Sequence, residues 1–476
     1  MAHRRKFILV LAKALLTFGA PSHRINSQLA AASGILEANA EFIYIPNIVI
    51  VSMKNDDERS TTTRFVRVSG RIALSALRKV HLLYRSVLRD EIGVTEATEA
   101  LNELLRSGPI YPLTARCALA FCMGTILCGL SLGGSILDMI ISGLCACALQ
   151  YLGLNAVNKS SVYANVYEIS VTIFVAFIAR ALGSIPGHPF CYNAISSSGI
   201  VLVLPGFTVL MSSLELMSRN IFCGSVRSVY GGIYTLFLGF GLSIGSDIFL
   251  VIDRHARKEY YATFMYKLNH THGHFTMING TAPFVPIGGV LSTGSLASYQ
   301  LEHLTHGCFR EPDWPWWKQP LPWWTAFFLV PLYSTCSSLN NLQSYRSKQL
   351  PIMVIFSCCS YTANRLVASV LPGRPDLVAA AGSFVIGILG NLYSRIAHGT
   401  AFTSMVTGVL FLVPSGIAQS GGVTQTYHSS AEQYTDGFTL AVRMSCVSSG
   451  VTIGLLVSQV IVYLFGRRKN AAHFAF

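Results

Sequence analysis

Ten apolar segments, most of them close to 20 residues long, leave this chain few folds to choose from. They lie at about 113–133, 135–155, 166–182, 194–217, 227–252, 322–339, 351–371, 376–397, 400–418 and 437–465. A helix of that length can cross the hydrocarbon of a bilayer with its backbone groups satisfied internally. The composition agrees, with 51% of residues hydrophobic and 12% charged and a mean hydropathy of +0.48. The expected fold is a polytopic α-helical membrane protein preceded by a small α/β domain. A net charge of +13 does not point to nucleic acid, because the basic residues gather at segment ends and in the N-terminal region, where they set topology. Of 12 cysteines, only Cys308 falls in a long polar loop. No disulfide scaffold is expected, and no CxxC pair marks a metal or redox centre.

The fourth segment is interrupted. Gly199-Ile-Val-Leu-Val-Leu-Pro205-Gly206-Phe-Thr208 places a proline and a glycine inside an apolar run. Proline removes a backbone donor and clashes with the preceding turn, so the helix should break there. Gly408-Val-Leu-Phe-Leu-Val-Pro414-Ser415-Gly416 repeats the pattern downstream. An offset of 209 carries Pro205 onto Pro414 and the first-half starts 113, 135, 166, 194 and 227 onto 322, 344, 375, 403 and 436. The second-half starts read independently are 322, 351, 376, 400 and 437. The spacing predicts two five-helix repeats at 113–252 and 322–465, inverted because five is odd, with a second break at Pro414 matching the first.

Residues 1–112 read as a mixed α/β cytoplasmic domain. Helices are expected over Phe7–Thr17, Pro21–Ser33, Arg71–Leu88 and Thr95–Leu105, and strands over Glu41–Met53 and Thr61–Val68 joined by a polar turn. The start Arg4-Arg5-Lys6 before an apolar run suggests a signal peptide, but Lys13 interrupts the run and Pro21 follows Ala20 where cleavage would fall. This region carries 15 Lys+Arg against 10 Asp+Glu. With it in the cytoplasm, the inner loops hold Lys159, Arg219, Arg227, Arg346, Lys348 and the tail 466–476, while the short outer loops hold only Arg180 and Arg374. The 253–321 segment then lies outside, with glycosylation sequons at Asn269 and Asn279. Its His270-x-His272-x-His274 and His303-x2-His306-x-Cys308 are spaced as zinc sites are, yet polar loops are often rich in histidine, so no metal or other cofactor is expected. Asp138, with Gly133-Gly134 before it, is a charge that a membrane span would ordinarily exclude.

Leu15-Leu-Thr-Phe-Gly19-Ala20-Pro21-Ser22-His23-Arg24 resembles the opening motif of the threonine/serine exporter family. Ile45-Pro46-Asn47-Ile-Val-Ile-Val-Ser52 is similar to the strand that follows it. Val203-Leu204-Pro205-Gly206 and Phe411-Leu-Val-Pro414-Ser415-Gly416 resemble the family's motifs in its two halves, and Trp314-Pro-Trp316-Trp317-Lys-Gln-Pro320-Leu-Pro-Trp323-Trp324 is similar to fungal members. The resemblance implies a cytoplasmic domain fused to a ten-span exporter of small hydroxy amino acids. Related split-subunit systems imply dicarboxylate export instead. Many bacterial relatives carry an acid two residues beyond the basic position, where this chain has Asn26.

A zwitterionic amino acid needs donors for its carboxylate and acceptors for its ammonium. Broken helices supply both from their ends. Ser197, Ser198, Pro205, Gly206, Thr208, Pro414, Ser415 and Gly416 are therefore the candidate substrate-binding residues; Ser196 adds a further hydroxyl, and packing through small residues is the competing reading of the serines. Ionisable residues in apolar spans are costly, and Glu168, Glu215, Asp247 and Arg443 are candidates for coupling or gating. Glu215 alternatively pairs with Arg219 one turn on. Arg365 and Arg395 also lie within spans, and Arg395 is placed to snorkel. No Walker motif occurs, and the Ser22-His23 pair lacks triad geometry, so an enzyme is not expected.

The function expected is secondary export of a threonine- or serine-like substrate by alternating access, in the plasma membrane or an endomembrane. The expected partners are an amino acid or small carboxylate, a coupling proton, the lipid bilayer and a second copy of the chain, with no nucleic acid. Two other readings stand beside it: a non-transporting membrane protein of cell contact or mating, and a channel.

Overall fold

The computed structural model describes residues 2–54, 61–68, 70–159, 161–260, 271–275, 287–291, 304–305, 308–311, 313–371, 374–396, 400–419 and 430–464. Helices α1 (Ala2–Thr17) and α2 (Ser22–Ile35) open the chain. Phe7, Leu11 and Leu15 recur at helical spacing on α1 and are at most 1% exposed. Each such burial stabilises by about 1.5–3 kcal/mol. Strands β1 (Ala40–Ile45), β2 (Ile48–Lys54) and β3 (Thr61–Arg67) form an antiparallel sheet in that order. The single strand expected over Glu41–Met53 is thus two. Pro46 presets the first turn position and Asn47 takes the left-handed conformation (φ +66°), so Ile45 pairs back onto Ile48. Helices α3 (Leu74–Leu88) and α4 (Val94–Arg106) complete this N-terminal unit. Its core is continuous with that of the helical bundle through Leu210, Leu214 and Phe402.

The bundle comprises α5 (Leu113–Ser131), α6 (Ile136–Lys159), α7 (Ser161–Gly183), α8 (Tyr192–Gly199), α9 (Gly206–Met217) and α10 (Ile221–Ile252). After a long segment come α11 (Ala326–Asn340), α12 (Gln349–Val370), α13 (Pro375–Ile396), α14 (Ala401–Gln419) and α15 (Ser430–Leu464). Within that segment the described strands β4 (Thr271–Phe275) and β5 (Ile287–Leu291) pair antiparallel. Among the described residues seven helices are long and apolar enough to cross a membrane: α5, α6, α7, α10, α12, α13 and α15. The chain is a polytopic helical membrane protein.

Close backbone approach holds the long helices together, as expected where hydrocarbon offers no hydrophobic gain. A Cβ on Gly245 of α10 would lie 2.2 Å from the Ile173 carbonyl oxygen of α7. On α15, a Cβ on Gly450 or Gly454 would lie 2.2 Å from the carbonyl oxygen of Asp376 or Ala380 on α13.

Three expectations need correction. The fourth segment does break, into α8 and α9, but α14 runs unbroken through Pro414 to Gln419. The motifs have equal spacing, so the proline alone does not fix the outcome. In α8, Ser196 and Ser198 donate to the carbonyls of Tyr192 and Ala194, competing with the helical ladder. In α14 the turn before the glycine is Met405-Val406-Thr407, and Gly408 is held close against Ile386 of α13. A proline inside a well-packed membrane helix is tolerated.

Second, a disulfide joins Cys191 to Cys308 across 117 residues, with Cα atoms 5.4 Å apart. That sequence distance conceals the pairing. Third, Asp138 begins a span instead of spoiling one. Its Oδ2 accepts from the amide and hydroxyl of Ser135, both at 2.9 Å, in a capping box at the start of α6. Arg310 Nη2 donates to Oδ2 at 2.6 Å and the Cys191 amide to Oδ1 at 2.9 Å, so the buried charge is paired.

Candidate functional site

Helix α9 starts at Gly206 with Pro205 as its N-cap, and no side chain caps it. Its first amides therefore keep unused donors and the positive end of the helix dipole. This end opens, through Phe207 and Thr208, on a cavity of about 620 Å³ between the N-terminal unit and the bundle. Three stretches that the sequence singles out separately meet there: Gly19-Ala20, Pro46-Asn47 and Phe207-Thr208.

The charges fit an anion. Arg71 and Arg116 line the cavity close enough to repel one another, and neither forms an ion pair with a carboxylate among the described residues. Arg116 also has a buried Nε without a hydrogen-bond partner. On the same wall stand Asn340 and Asn341, at the C-terminal end of α11. The Asn340 Oδ1 is buried and accepts no hydrogen bond among the described residues. One cavity thus offers guanidinium and amide donors for a carboxylate and an acceptor for an ammonium group.

A latch closes one side of it. Glu215 of α9 is fully buried, and its Oε1 accepts from Arg227 Nη1 of α10 at 2.7 Å. The Arg227 Nη2 donates to the Tyr44 hydroxyl of β1 at 2.7 Å. Burial pushes the Tyr44 phenol up to about 12, against the opposing pull of Arg227, so it stays neutral at physiological pH. Arg219, the partner expected for Glu215, is displaced because α9 ends at Met217 and Arg219 turns left-handed (φ +64°). Nearby, Arg24 of the opening motif packs over the Phe402 ring of α14 at 5.5 Å, and burial lowers it to about 10, leaving it charged.

The other predicted residues are dispersed. Thr208 lines the cavity; Gly206 instead abuts α14, where an added Cβ would lie 2.7 Å from Val413 Cγ1. The Pro205 and Pro414 motifs are therefore neighbours in space. Ser198 is buried against the Ser142 hydroxyl of α6, and Ser197 bonds Asn193 at 3.3 Å, both within helix packing. Ser415 and Gly416 continue α14. Glu168 accepts from the Tyr167 hydroxyl at 3.2 Å, a full turn deeper in α7 than expected because that helix starts at Ser161. Asp247 lies near the end of α10, within electrostatic reach of Arg180. Arg443 is half-buried on α15, and Arg395 is exposed near the end of α13, as snorkelling requires. Asn269 and Asn279 lie outside the described residues. No group of three metal-ligating side chains occurs among the described residues. Sequence reasoning missed Arg71, Arg116, Asn340 and Asn341; the one signal available was an arginine near the start of the first span.

Two family models match the chain. One, described as a threonine/serine exporter, covers residues 6–249. The other, described as Threonine/Serine exporter, ThrE, covers residues 328–461. Pheromone-regulated membrane protein 10 of Yarrowia lipolytica is 31% identical over 99% of this chain and 38% of its own length. The proteins of that name in Eremothecium gossypii and Saccharomyces cerevisiae are 31% and 32% identical, over 99% and 98% of this chain and 58% and 55% of theirs. The chain spans about half the length of these curated relatives. No solved structure matches it.

Proposed function

The chain belongs to the threonine/serine exporter family, and from that premise we propose that it is a secondary transporter moving a small amino acid or carboxylate by alternating access. One observation carries this reading: the uncapped start of α9, the free guanidinium donors of Arg116 and three motif stretches share a single cavity. The carboxylate of the substrate sits on Arg116, Arg71 and the α9 amides, its ammonium faces Asn340, and Thr208 reads a side-chain hydroxyl. Ser197 and Ser198 hold the helices around the site.

We read the bundle as ten spans in two inverted five-helix repeats. Two sets of equivalences support this. The offset of 209 carries the starts of α8 and α10, Tyr192 and Ile221, onto the starts of α14 and α15, Ala401 and Ser430. It also carries Gly241 and Gly245 onto Gly450 and Gly454, which in both halves pack the fifth helix on the third. The N-terminal unit, 1–112, faces the cytoplasm and 253–321 the outside. The Cys191–Cys308 disulfide supports that orientation, since disulfides persist on the oxidising side of a membrane.

Glu215 is the foremost coupling group, its buried carboxylate held between Arg227 and Ser22 of the opening motif; Glu168, Asp247 and Arg443 are secondary. Efflux from liposomes, tested across hydroxy amino acids and dicarboxylates, decides the substrate. Transport that survives both Arg116→Ala and Pro205→Ala unchanged defeats the assignment. The rival reading as a cell-contact protein is tested by deleting 261–303, which spares Cys308 and Arg310: transport persists if the loop is peripheral.

A further inference from the structure

A second cavity, of about 710 Å³, lies between α11 and α12 with the end of α5 as its floor. Apolar side chains make most of its wall, including Leu130, Phe327, Val330 and Leu366. From Arg365 it follows α12 back to Cys358, roughly 10 Å of helix. That length is about two thirds of one leaflet of hydrocarbon.

Arg365 projects from α12 into this wall. It is exposed, and no carboxylate pairs with it among the described residues. Its Nε donates to the Tyr361 hydroxyl at 3.0 Å and its Nη2 to the Leu130 carbonyl at 3.4 Å. These two bonds fix the guanidinium plane and leave its remaining donors open. Snorkelling alone does not require that fixing, because a snorkelling side chain keeps its rotamer freedom. Around the groove mouth, Trp323 is 80% exposed and Trp324 53%, an interfacial aromatic belt that fixes this level as the headgroup region. Only small cuts interrupt the floor. Gly129 lets Leu321 approach to where a Cβ would stand 2.7 Å from Leu321 Cδ1.

We propose that this groove binds one glycerophospholipid, with its phosphodiester on Arg365 and one acyl chain laid along α12. A guanidinium held in place matches a phosphate oxygen pair, and the apolar wall matches a chain confined to a single leaflet. The phosphate, common to zwitterionic and anionic lipids, is the recognised group. The site is separate from the Arg116 cavity and stands whether or not the chain transports.

The test uses the full chain purified from membranes, with native mass spectrometry counting retained phospholipid and a photoreactive acyl-chain phosphatidylcholine labelling the groove. Wild type should retain one phospholipid per chain, and Arg365→Ala should lower occupancy at least about tenfold, the loss of one charge-assisted contact. Arg365→Lys should fall between them. Ala368→Trp, which fills the wall and leaves the cation, should also expel lipid, and it guards against misfolding of the alanine variant. Phosphatidylcholine and phosphatidylglycerol should both compete, and diacylglycerol should not. Equal retention by wild type and Arg365→Ala, or equal competition by diacylglycerol, overturns the proposal.

Discussion

The two halves of the bundle share a glycine seam and carry a proline at the same register, yet only the first half is broken there. Gly245 and Gly454 both bring the backbone of one helix against carbonyls of another, 209 residues apart in sequence. Pro205 starts a new helix and Pro414 does not. What the halves share is packing, which needs only the absence of side chains at one seam. They differ in backbone continuity, since α8 ends at Gly199 and α9 begins only at Gly206. On the proposed function, the part the halves share is scaffold and the part in which they differ is the site.

The hardest test of the shared part is Gly245→Leu against Gly454→Leu. Either leucine meets a backbone carbonyl at 2.2 Å and must push two helices apart. In a tightly packed seam that costs several kcal/mol. Loss of monodisperse protein on size exclusion is expected for both. If one is tolerated, the halves are not packed alike.

The prolines test the difference. Pro205→Ala restores a donor and lets α8 propagate toward α9, closing the uncapped helix start on the cavity. Efflux from liposomes should fall more than tenfold at equal expression. Pro414→Ala sits in a helix that is already continuous and should change efflux less than about threefold, while raising thermal stability by up to about 3 kcal/mol. Equal losses would mean that the second proline also works as a break during the transport cycle.

Much of this was legible in the sequence, for physical reasons that also set its limits. Every apolar segment but the fourth became one helix, because twenty apolar residues in hydrocarbon have few alternatives. The break at Pro205 was visible because proline acts on its own turn. Its absence at Pro414 was not, since α14 is packed by tertiary contacts such as that of Gly408 with Ile386 on α13, which no local pattern marks. Asp138 and Arg310 lie 172 residues apart in sequence and Cys191 and Cys308 lie 117 apart, so no local pattern marks either pair. Arg116 joins Asn340 and Pro46 only after the N-terminal unit docks. The candidate site is assembled from three regions, and motif reading found Gly19-Ala20, Pro46-Asn47 and Thr208 without finding that they meet.

Arg116 sharpens the comparison further. The offset of 209 places Thr325 where Arg116 stands in the first half, so the cationic cavity has no cationic twin. Arg116→Ala should raise the KM for a carboxylate-bearing substrate about tenfold, the worth of one charge-assisted hydrogen bond. Arg116→Lys should recover part of that, because charge is kept and the fork is lost. Thr325→Ala should leave KM unchanged. A comparable loss at Thr325 would place substrate contacts on both halves.

The smallest effect belongs to the latch, which also exists on one side only. Glu215 and Arg227 map by the same offset to Thr424 and Asp436, which cannot rebuild an ion pair. Tyr44→Phe removes the hydroxyl that accepts from Arg227 and leaves the Glu215 pair and the ring intact. The lost bond is worth about 1.5–3 kcal/mol, because its donor is charged. Part of that returns when water reaches the freed guanidinium at the cavity edge, so the net cost should be near 1 kcal/mol. If the N-terminal unit must loosen for the substrate to enter, this variant should open more often, raising hydrogen exchange in β1 about fivefold and increasing efflux modestly. Efflux that falls instead would make Tyr44 part of the binding surface, and the two halves would then differ by a contact to substrate as well as by a gate.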